Sequence, residues 1–194
     1  MQKFLLTTAI LLTFLLTAPC LFADQAPSLL RPSEITVNSG YFRGRAKHNP
    51  DYQGVPFSVQ ILYRANTLLN LDDIKGDFLL GFEPFVDLLT EYKTGVTVGA
   101  GLTAKYVHPL TEDLSAYVEI ASGPSYLSVE TIEQGEDGFN FLNQGGAGLR
   151  YAISAERSID LGYRFRHLSH ADIRGKPNGG IDTQAVIVGY TFHF

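Results

Sequence analysis

The stretch Thr183-Gln-Ala-Val-Ile-Val-Gly-Tyr-Thr-Phe-His-Phe194 ends the chain and decides its fold. One side-chain face carries apolar and aromatic residues at every second position: Val186, Val188, Tyr190, Phe192 and Phe194. The other face is small or polar, from Thr183 to His193. Because successive side chains of a β-strand point to opposite sides, the pattern predicts a strand with one lipid-facing row. An ordinary edge strand at a C-terminus is the alternative.

The C-terminal residue of the chain also resembles that of a known class of membrane proteins. Phe194, preceded by aromatic residues at two-residue spacing, resembles the C-terminal signature of bacterial outer-membrane β-barrels, which the assembly machinery of that membrane recognises. The resemblance implies an outer-membrane location. It also implies the barrel-assembly machinery as a partner during biogenesis.

The N-terminus predicts export. Lys3 precedes an apolar run from Phe4 to Ala18, which small residues follow. A positive charge before a short apolar run is typical of a secretory signal peptide, and the run is too short to span a bilayer comfortably as a helix. Cleavage after Ala23 is expected, and cleavage near Cys20 is an alternative. Pro19 argues against lipid attachment to Cys20.

We therefore divide the chain into a signal peptide, residues 1–23, and one outer-membrane β-barrel domain, residues 24–194. Cys20 is the single cysteine, so its removal with the signal would exclude disulfides and thiol catalysis. The net charge of −5 gives no indication of nucleic-acid binding. No second apolar run long enough for a membrane helix follows, but barrel strands expose only alternate residues to lipid.

Segments of alternating polarity follow one another along the domain. The predicted strands are residues 34–45, 56–65, 77–89, 95–108, 114–122, 139–153, 159–171 and 183–194. Their number and pattern predict an all-β fold, an eight-stranded antiparallel transmembrane β-barrel of the bacterial outer membrane. The stretch from Asn66 to Gly76 is long for a periplasmic turn and leaves room for a short helix. With the chain end in the periplasm, the loop between the last two strands is extracellular.

The inward face of the predicted barrel carries charges of both signs. They are Glu83, Asp87, Lys105, Glu119, Arg150, Arg164 and Arg166. Side chains just fill the interior of an eight-stranded barrel. These charges are therefore expected to pair across the lumen, and a diffusion pore is not expected.

Reactive side chains meet at the junction of the seventh strand and the last loop. In the segment from Leu161 to Ala171, the lipid-facing row of odd-numbered residues ends in His167 and Ser169. A hairpin folded symmetrically about the loop pairs His167 with Asp182. Ser169, His167 and Asp182 are thus predicted to be nucleophile, base and orienting carboxylate on the outside of the barrel. The alternative is an ordinary polar boundary where a strand leaves the hydrocarbon.

Two motifs here resemble a known family. Arg166-His-Leu-Ser-His-Ala171, followed by Lys176-Pro-Asn-Gly-Gly-Ile-Asp182 and a final strand, is similar to the C-terminal motif of the PagL-type lipid A 3-O-deacylases. The specific match runs from Arg166 to the C-terminus. The resemblance implies an outer-membrane serine esterase that hydrolyses the ester-linked (3-O) hydroxyacyl chain of lipid A in lipopolysaccharide, using a lipid-facing Ser-His-acid triad.

By position, the resemblance implies Ser169 as nucleophile, His167 as general base, Asp182 as carboxylate and Asn178 as organiser of the oxyanion site. The chain departs from the family's usual motif twice, with Asp182 in place of glutamate and His170 in place of the asparagine after the serine.

Arg174 and Lys176 in the same loop are expected to contact lipid A phosphates, with plain solvent exposure as the alternative. No metal or cofactor is expected. His167 and His170 are an odd number of residues apart and so point to opposite faces of a strand, which makes them a poor ligand pair.

Two other functions stay open at this stage. A non-catalytic barrel with a degenerate site, acting as a structural or surface-interaction protein, would show the same signal peptide and strands. A lumenal acyltransferase would need the triad inside, which a one-residue shift of the seventh strand would produce. We favour the esterase, with lipid A and outer-membrane lipids as partners. A homodimer is an open alternative to a monomer, and no nucleic-acid partner is expected.

Overall fold

The computed structural model describes residues 31–45, 52–91, 93–134, 136–173, 175 and 178–194. The expected signal peptide, residues 1–23, lies outside the described residues, as do Arg174 and Lys176. The described part of the chain contains no apolar helix of the length that a bilayer crossing requires.

Alternation of side-chain character along the chain produces eight strands that close into one barrel. They are β1 (Glu34–Arg45), β2 (Tyr52–Arg64), β3 (Asp77–Glu91), β4 (Gly95–Pro109), β5 (Leu114–Leu127), β6 (Gly138–Ser154), β7 (Arg157–Ser169) and β8 (Ile181–His193). Each strand pairs antiparallel with the next, and β8 pairs with β1. The predicted fold class, an all-β antiparallel barrel of eight strands, is confirmed.

Two strands, β2 and β5, extend four and five residues beyond their predicted ends, whereas the other strand ends differ from the prediction by at most two residues. The Gly123-Pro124 dipeptide looks like a turn in the sequence, yet β5 continues through it because Pro124 lies opposite Phe141 in the β6 ladder. β2 likewise begins at Tyr52 and includes Gly54. The glycine and proline residues therefore caused errors in the predicted strand ends, whereas the predicted strand centres were little affected.

The long connection from Asn66 to Gly76 forms hydrogen-bonded turns, and the described residues there contain no helix. The Asn66 side chain organises it. Its Nδ2 donates to the carbonyl oxygen of Gly76 at 2.9 Å, and its Oδ1 accepts from the backbone N–H of Phe78 at 2.8 Å. The Asn66 amide thus ties the start of the connection to its end at Gly76 and Phe78.

The lumen is filled by side chains in layers. A belt of ion pairs occupies the middle: Arg164 with Glu83 at 2.7 Å and Glu119 at 2.6 Å, Arg166 with Asp87 at 2.6 Å, Arg150 with Glu34 at 2.6 Å and Asp160 at 2.7 Å, and Lys105 with Asp160 at 2.9 Å. The predicted pairing of inward charges is confirmed. Sequence reasoning missed Glu34 and Asp160, although both fall on the inward parity of their strands.

An apolar cluster lies inside the barrel at the end that carries the last loop. Its members include Phe42, Leu127, Leu168 and Ile181, all buried. The chain end lies at the opposite end of the barrel, where the backbone N–H of Phe194 donates to the Ser33 carbonyl at 3.0 Å. The apolar cluster therefore packs the inner side of the strand ends that hold the candidate triad outside.

Candidate active site

The β7–β8 hairpin sets the geometry of the site. His167 lies opposite Asp182, and the same register pairs Phe165 with Gln184, Tyr163 with Val186 and Leu161 with Val188. The predicted register is confirmed at all four positions. It is stable because the intervening residues Leu168 and Ile181 are buried inside the barrel, and a one-residue slip would turn both outward.

His167 and Asp182 are joined by a short hydrogen bond on the outer surface. Nδ1 of His167 lies 2.6 Å from Oδ1 of Asp182, with side chains 40% and 61% exposed. With Asp182 ionised and the imidazole neutral, Nδ1 donates its hydrogen to the carboxylate, because an ionised carboxylate only accepts, and Nε2 keeps a lone pair. The imidazole is therefore oriented to take a proton on Nε2. Its outward direction does not suit a site in the lumen.

Ser169 is the last residue of β7 and lies on the same face as His167. It is half-buried and pairs with Phe141 of β6. Among the described residues, no hydrogen bond links Ser169 Oγ to His167. Catalytic hydrogen bonds are often long in a resting site and tighten when substrate binds. Ser169, His167 and Asp182 therefore share the outer face. His167 contacts Asp182, but Ser169 makes no hydrogen bond to His167 in this structure.

The chain leaves the strand sharply after Ser169. Ala171 and Asp172 adopt φ of 50° and 60°, in the left-handed region that non-glycine residues seldom occupy. Oδ1 of Asn178 accepts a hydrogen bond of 3.2 Å from the backbone N–H of His170. Asn178 therefore holds the backbone directly after Ser169. The His170 side chain is fully buried, on the opposite face from Ser169 and His167.

A glycine allows the return of the loop to pass close to His167. Gly180 has φ of +68°, and a Cβ added there would lie 2.6 Å from Cε1 of the His167 ring. Its neighbour Gly179 donates its backbone N–H to the Glu133 carbonyl at 2.7 Å. The loop between β5 and β6 thereby anchors the turn that passes beside the imidazole.

A groove of about 510 Å³ runs along the outer wall from His167 toward the middle of the barrel. We call it the His167 groove. Its outward-facing lining residues are Leu80, Leu102, Ala104, Ile120, Ser122, Asn143, Gly145, Phe165 and His167. Gly145 leaves the groove open, because a Cβ added there would find no heavy atom closer than 3.8 Å. Sequence reasoning missed this groove.

A polar pair lies at the His167 end of that groove. Asn143 is opposite His167 on β6, and Ser122 is opposite Asn143 on β5. The hydroxyl of Ser122 donates to Oδ1 of Asn143 at 2.6 Å. The outer wall therefore carries a continuous polar row at this level, with one residue from each of β5 to β8: Ser122, Asn143, His167 and Asp182.

A second groove of about 570 Å³ flanks the other side of the hairpin, and we call it the Asp182 groove. Its lining includes Tyr41, Arg43, Asp182 and Gln184. Phe165 lines both grooves and forms the ridge between them. The site therefore lies between two outward depressions of similar size.

Comparison with known proteins adds a family match. The family model described as lipid A 3-O-deacylase (PagL) matches residues 52–191. The chain also resembles two solved structures: Neisserial surface protein A, 15% identical over 83% of this chain and 96% of that chain with a TM-score of 0.60, and the outer membrane enzyme PagL, 16% identical over 83% and 99% with a TM-score of 0.53. Identities this low show the barrel fold alone. No curated protein sequence matches the chain.

Proposed function

The chain belongs to the lipid A 3-O-deacylase (PagL) family and is a β-barrel of the bacterial outer membrane, and we propose that it is a serine esterase of that membrane. The proposed reaction is hydrolysis of the ester-linked (3-O) hydroxyacyl chain of lipid A. The proposed catalytic residues are Ser169, His167 and Asp182. Asn178 organises the oxyanion site.

One observation carries the residue assignment. A histidine and a carboxylate in contact at 2.6 Å lie on the outer face of the barrel, and a serine follows the histidine by two residues on that face. The inward face offers no comparable site among the described residues, because paired charges and apolar side chains fill the lumen. The outer face is also where a lipid substrate arrives.

The proposed chemistry has two steps. Ser169 Oγ attacks the ester carbonyl while His167 Nε2 takes its proton, and His167 then protonates the sugar oxygen that leaves. Water attacks the resulting acyl-serine with His167 again as base, which releases the hydroxy fatty acid and restores Ser169. Asp182 stabilises the imidazolium formed in each step. A backbone amide of the loop that follows Ser169 stabilises the oxyanion.

The two grooves fit a lipid with several acyl chains. The chain to be cleaved enters the His167 groove, which leads away from the ester toward the hydrocarbon. A neighbouring chain of the same lipid lies in the Asp182 groove, across the Phe165 ridge. The substrate is thus hydrolysed while its chains stay at membrane depth.

The two departures from the family's usual motif are compatible with this chemistry. Asp182 is one methylene shorter than glutamate, yet it reaches His167 at 2.6 Å. His170 is buried on the other face of the strand, away from the ester. Neither substitution removes a contact that the proposed mechanism needs.

The test is hydrolysis of purified lipid A in detergent micelles by the folded protein. Released 3-hydroxy fatty acid is quantified for the parent, for Ser169→Ala and for Ser39→Ala, a control that removes another outward-facing serine on β1. We expect equal release by the parent and Ser39→Ala, and none by Ser169→Ala. Equal release by Ser169→Ala would reject the nucleophile, and no release by a folded parent would favour a non-catalytic barrel.

A further inference from the structure

The connection between β2 and β3 leaves large apolar side chains exposed. They are Leu68, Leu69 and Ile74, with exposed fractions of 77%, 41% and 37%. Single exposed apolar residues are common on proteins, but a group of them in one short connection marks a surface that another molecule or a membrane covers. The position of the connection on the barrel decides what covers this group.

The connection lies at the periplasmic end of the barrel. The backbone N–H of Arg64, at the end of β2, donates to Ser33 Oγ at 2.8 Å, and the Ser33 carbonyl accepts from the backbone N–H of Phe194 at 3.0 Å. The connection therefore begins beside the C-terminus of the chain. The short turns 110–113 and 155–156 lie at the same end, and short turns are typical of the periplasmic side of outer-membrane barrels. The lipid leaflet around this end consists of phospholipid.

The connection leans against the outer wall of β4. The hydroxyl of Tyr106 donates to the Lys75 carbonyl at 2.7 Å, and Nδ1 of His108 lies 3.0 Å from the same oxygen. Tyr106 and His108 continue the outward, lipid-facing row of β4 that contains Leu102. Ile74, the residue before Lys75, is thereby placed next to the lipid-facing surface, at the level where aromatic side chains of barrels meet the headgroups.

Two residues hold the connection in this orientation. Gly76 has φ of +122°, and a Cβ there would collide with the Val107 carbonyl oxygen, so glycine permits the close approach to β4. The Asn66 side chain binds the Gly76 carbonyl and the backbone N–H of Phe78. The exposed apolar side chains are thus carried on a connection that is held beside the outer wall.

We propose that the connection from Asn66 to Gly76 is an interfacial anchor, which inserts Leu68, Leu69 and Ile74 among the phospholipids of the periplasmic leaflet. These side chains lie at the boundary between headgroups and acyl chains, where the burial of apolar surface is favourable. The anchor does not depend on the proposed esterase activity, because it lies at the opposite end of the barrel from the candidate active site and in the other leaflet.

The experiment uses the absence of tryptophan from the chain, so that each variant carries a single fluorescent indole. Leu68→Trp and Ile74→Trp test the anchor. Leu102→Trp, in the middle of the outer face of β4, marks the hydrocarbon. Ala155→Trp is the matched control, because Ala155 is exposed in the turn between β6 and β7 at the same end of the barrel.

Each variant is folded into phosphatidylcholine vesicles, either unbrominated or brominated near the carbonyl end or near the methyl end of the acyl chains. Heat-modifiable migration in gels verifies that each variant is folded. The emission wavelength reports the polarity around the indole, and the loss of fluorescence in brominated vesicles reports its depth.

We expect Leu68→Trp and Ile74→Trp to emit at shorter wavelength than Ale155→Trp would as a water-exposed indole, and to be quenched most by bromine near the carbonyl end. Leu102→Trp should be quenched most by bromine near the methyl end. Unquenched emission from Leu68→Trp and Ile74→Trp would overturn the anchor and would favour a periplasmic protein as the partner of these residues. Equal quenching in the control variant would also overturn it, because any turn at this end would then reach the lipid.

Discussion

Two glycines of the last loop allow the effect of displacing the His167 ring to be separated from the effect of backbone strain. Gly180 and Gly175 have nearly equal positive φ, +68° and +62°. An alanine at either position carries a similar strain, roughly 1 kcal/mol. Only at Gly180 would the new Cβ meet the imidazole, since a Cβ at Gly175 has nothing within 4 Å.

The expected size of the effect follows from the contact distance. In Gly180→Ala the Cβ would lie 2.6 Å from Cε1 of His167, whereas ordinary contact begins at 3.4 Å, so the ring must withdraw by about 0.8 Å. A misplacement of about 1 Å in a catalytic group costs about 100-fold in rate. We therefore expect kcat/KM to fall about 100-fold in Gly180→Ala and to change little in Gly175→Ala.

The assay is release of 3-hydroxy fatty acid from lipid A in micelles, with urea unfolding of both variants as the stability measurement. Similar losses of stability with unequal losses of activity are the predicted result. Equal activity in the two variants would refute the reasoning, because it would show that the proximity of Gly180 to His167 has no role in hydrolysis.

Three further changes test other parts of the structure. Asp182→Asn removes the charge that orients the His167 ring and should lower the hydrolysis rate constant by at least about 100-fold; an unchanged rate constant argues against an orienting carboxylate. Gly145→Leu should fill the His167 groove and slow the cleavage of long acyl chains while sparing short ones, as measured with esters of graded length. Equal slowing for all lengths would contradict an acyl-chain groove. Arg164→Met leaves two buried carboxylates unpaired and should destabilise the barrel by about 3–5 kcal/mol in urea unfolding; unchanged stability would show that the ion pairs are dispensable.

The register of the final hairpin could be predicted from the sequence because two independent patterns had to agree. The outward rows of β7 and β8 are both apolar, and the loop between them is short enough for a single symmetric fold to match them. A strand also has a strict two-residue period, so parity alone determined that His167 and Asp182 share the outer face.

Strand ends were harder to predict than strand centres. Gly123-Pro124 has the composition of a turn, but in the barrel its neighbours on β4 and β6 continue past it, and the ladder extends β5 to Leu127. The end of β7 depends on the left-handed conformations of Ala171 and Asp172, which no sequence pattern at those residues signals.

The sequence did not predict the two grooves or the Ser122 and Asn143 pair, because these features depend on which strands lie next to one another. The His167 groove is lined by residues of β3 to β7 that are far apart in the chain. Its depth depends on Gly145 lying beside the large residues of neighbouring strands. Ser122 and Asn143 each look like ordinary polar residues until the register brings them next to His167.

The most direct test of the central claim is mass spectrometry of lipid A from outer membranes of bacteria that produce this protein. Membranes with the parent chain are compared with membranes that contain Ser169→Ala at equal levels of heat-modifiable barrel. The predicted result is loss of one 3-hydroxyacyl group from lipid A with the parent, and intact lipid A with Ser169→Ala. Intact lipid A in the presence of a well-folded parent barrel would contradict the claim that this protein deacylates lipid A at the 3-O position.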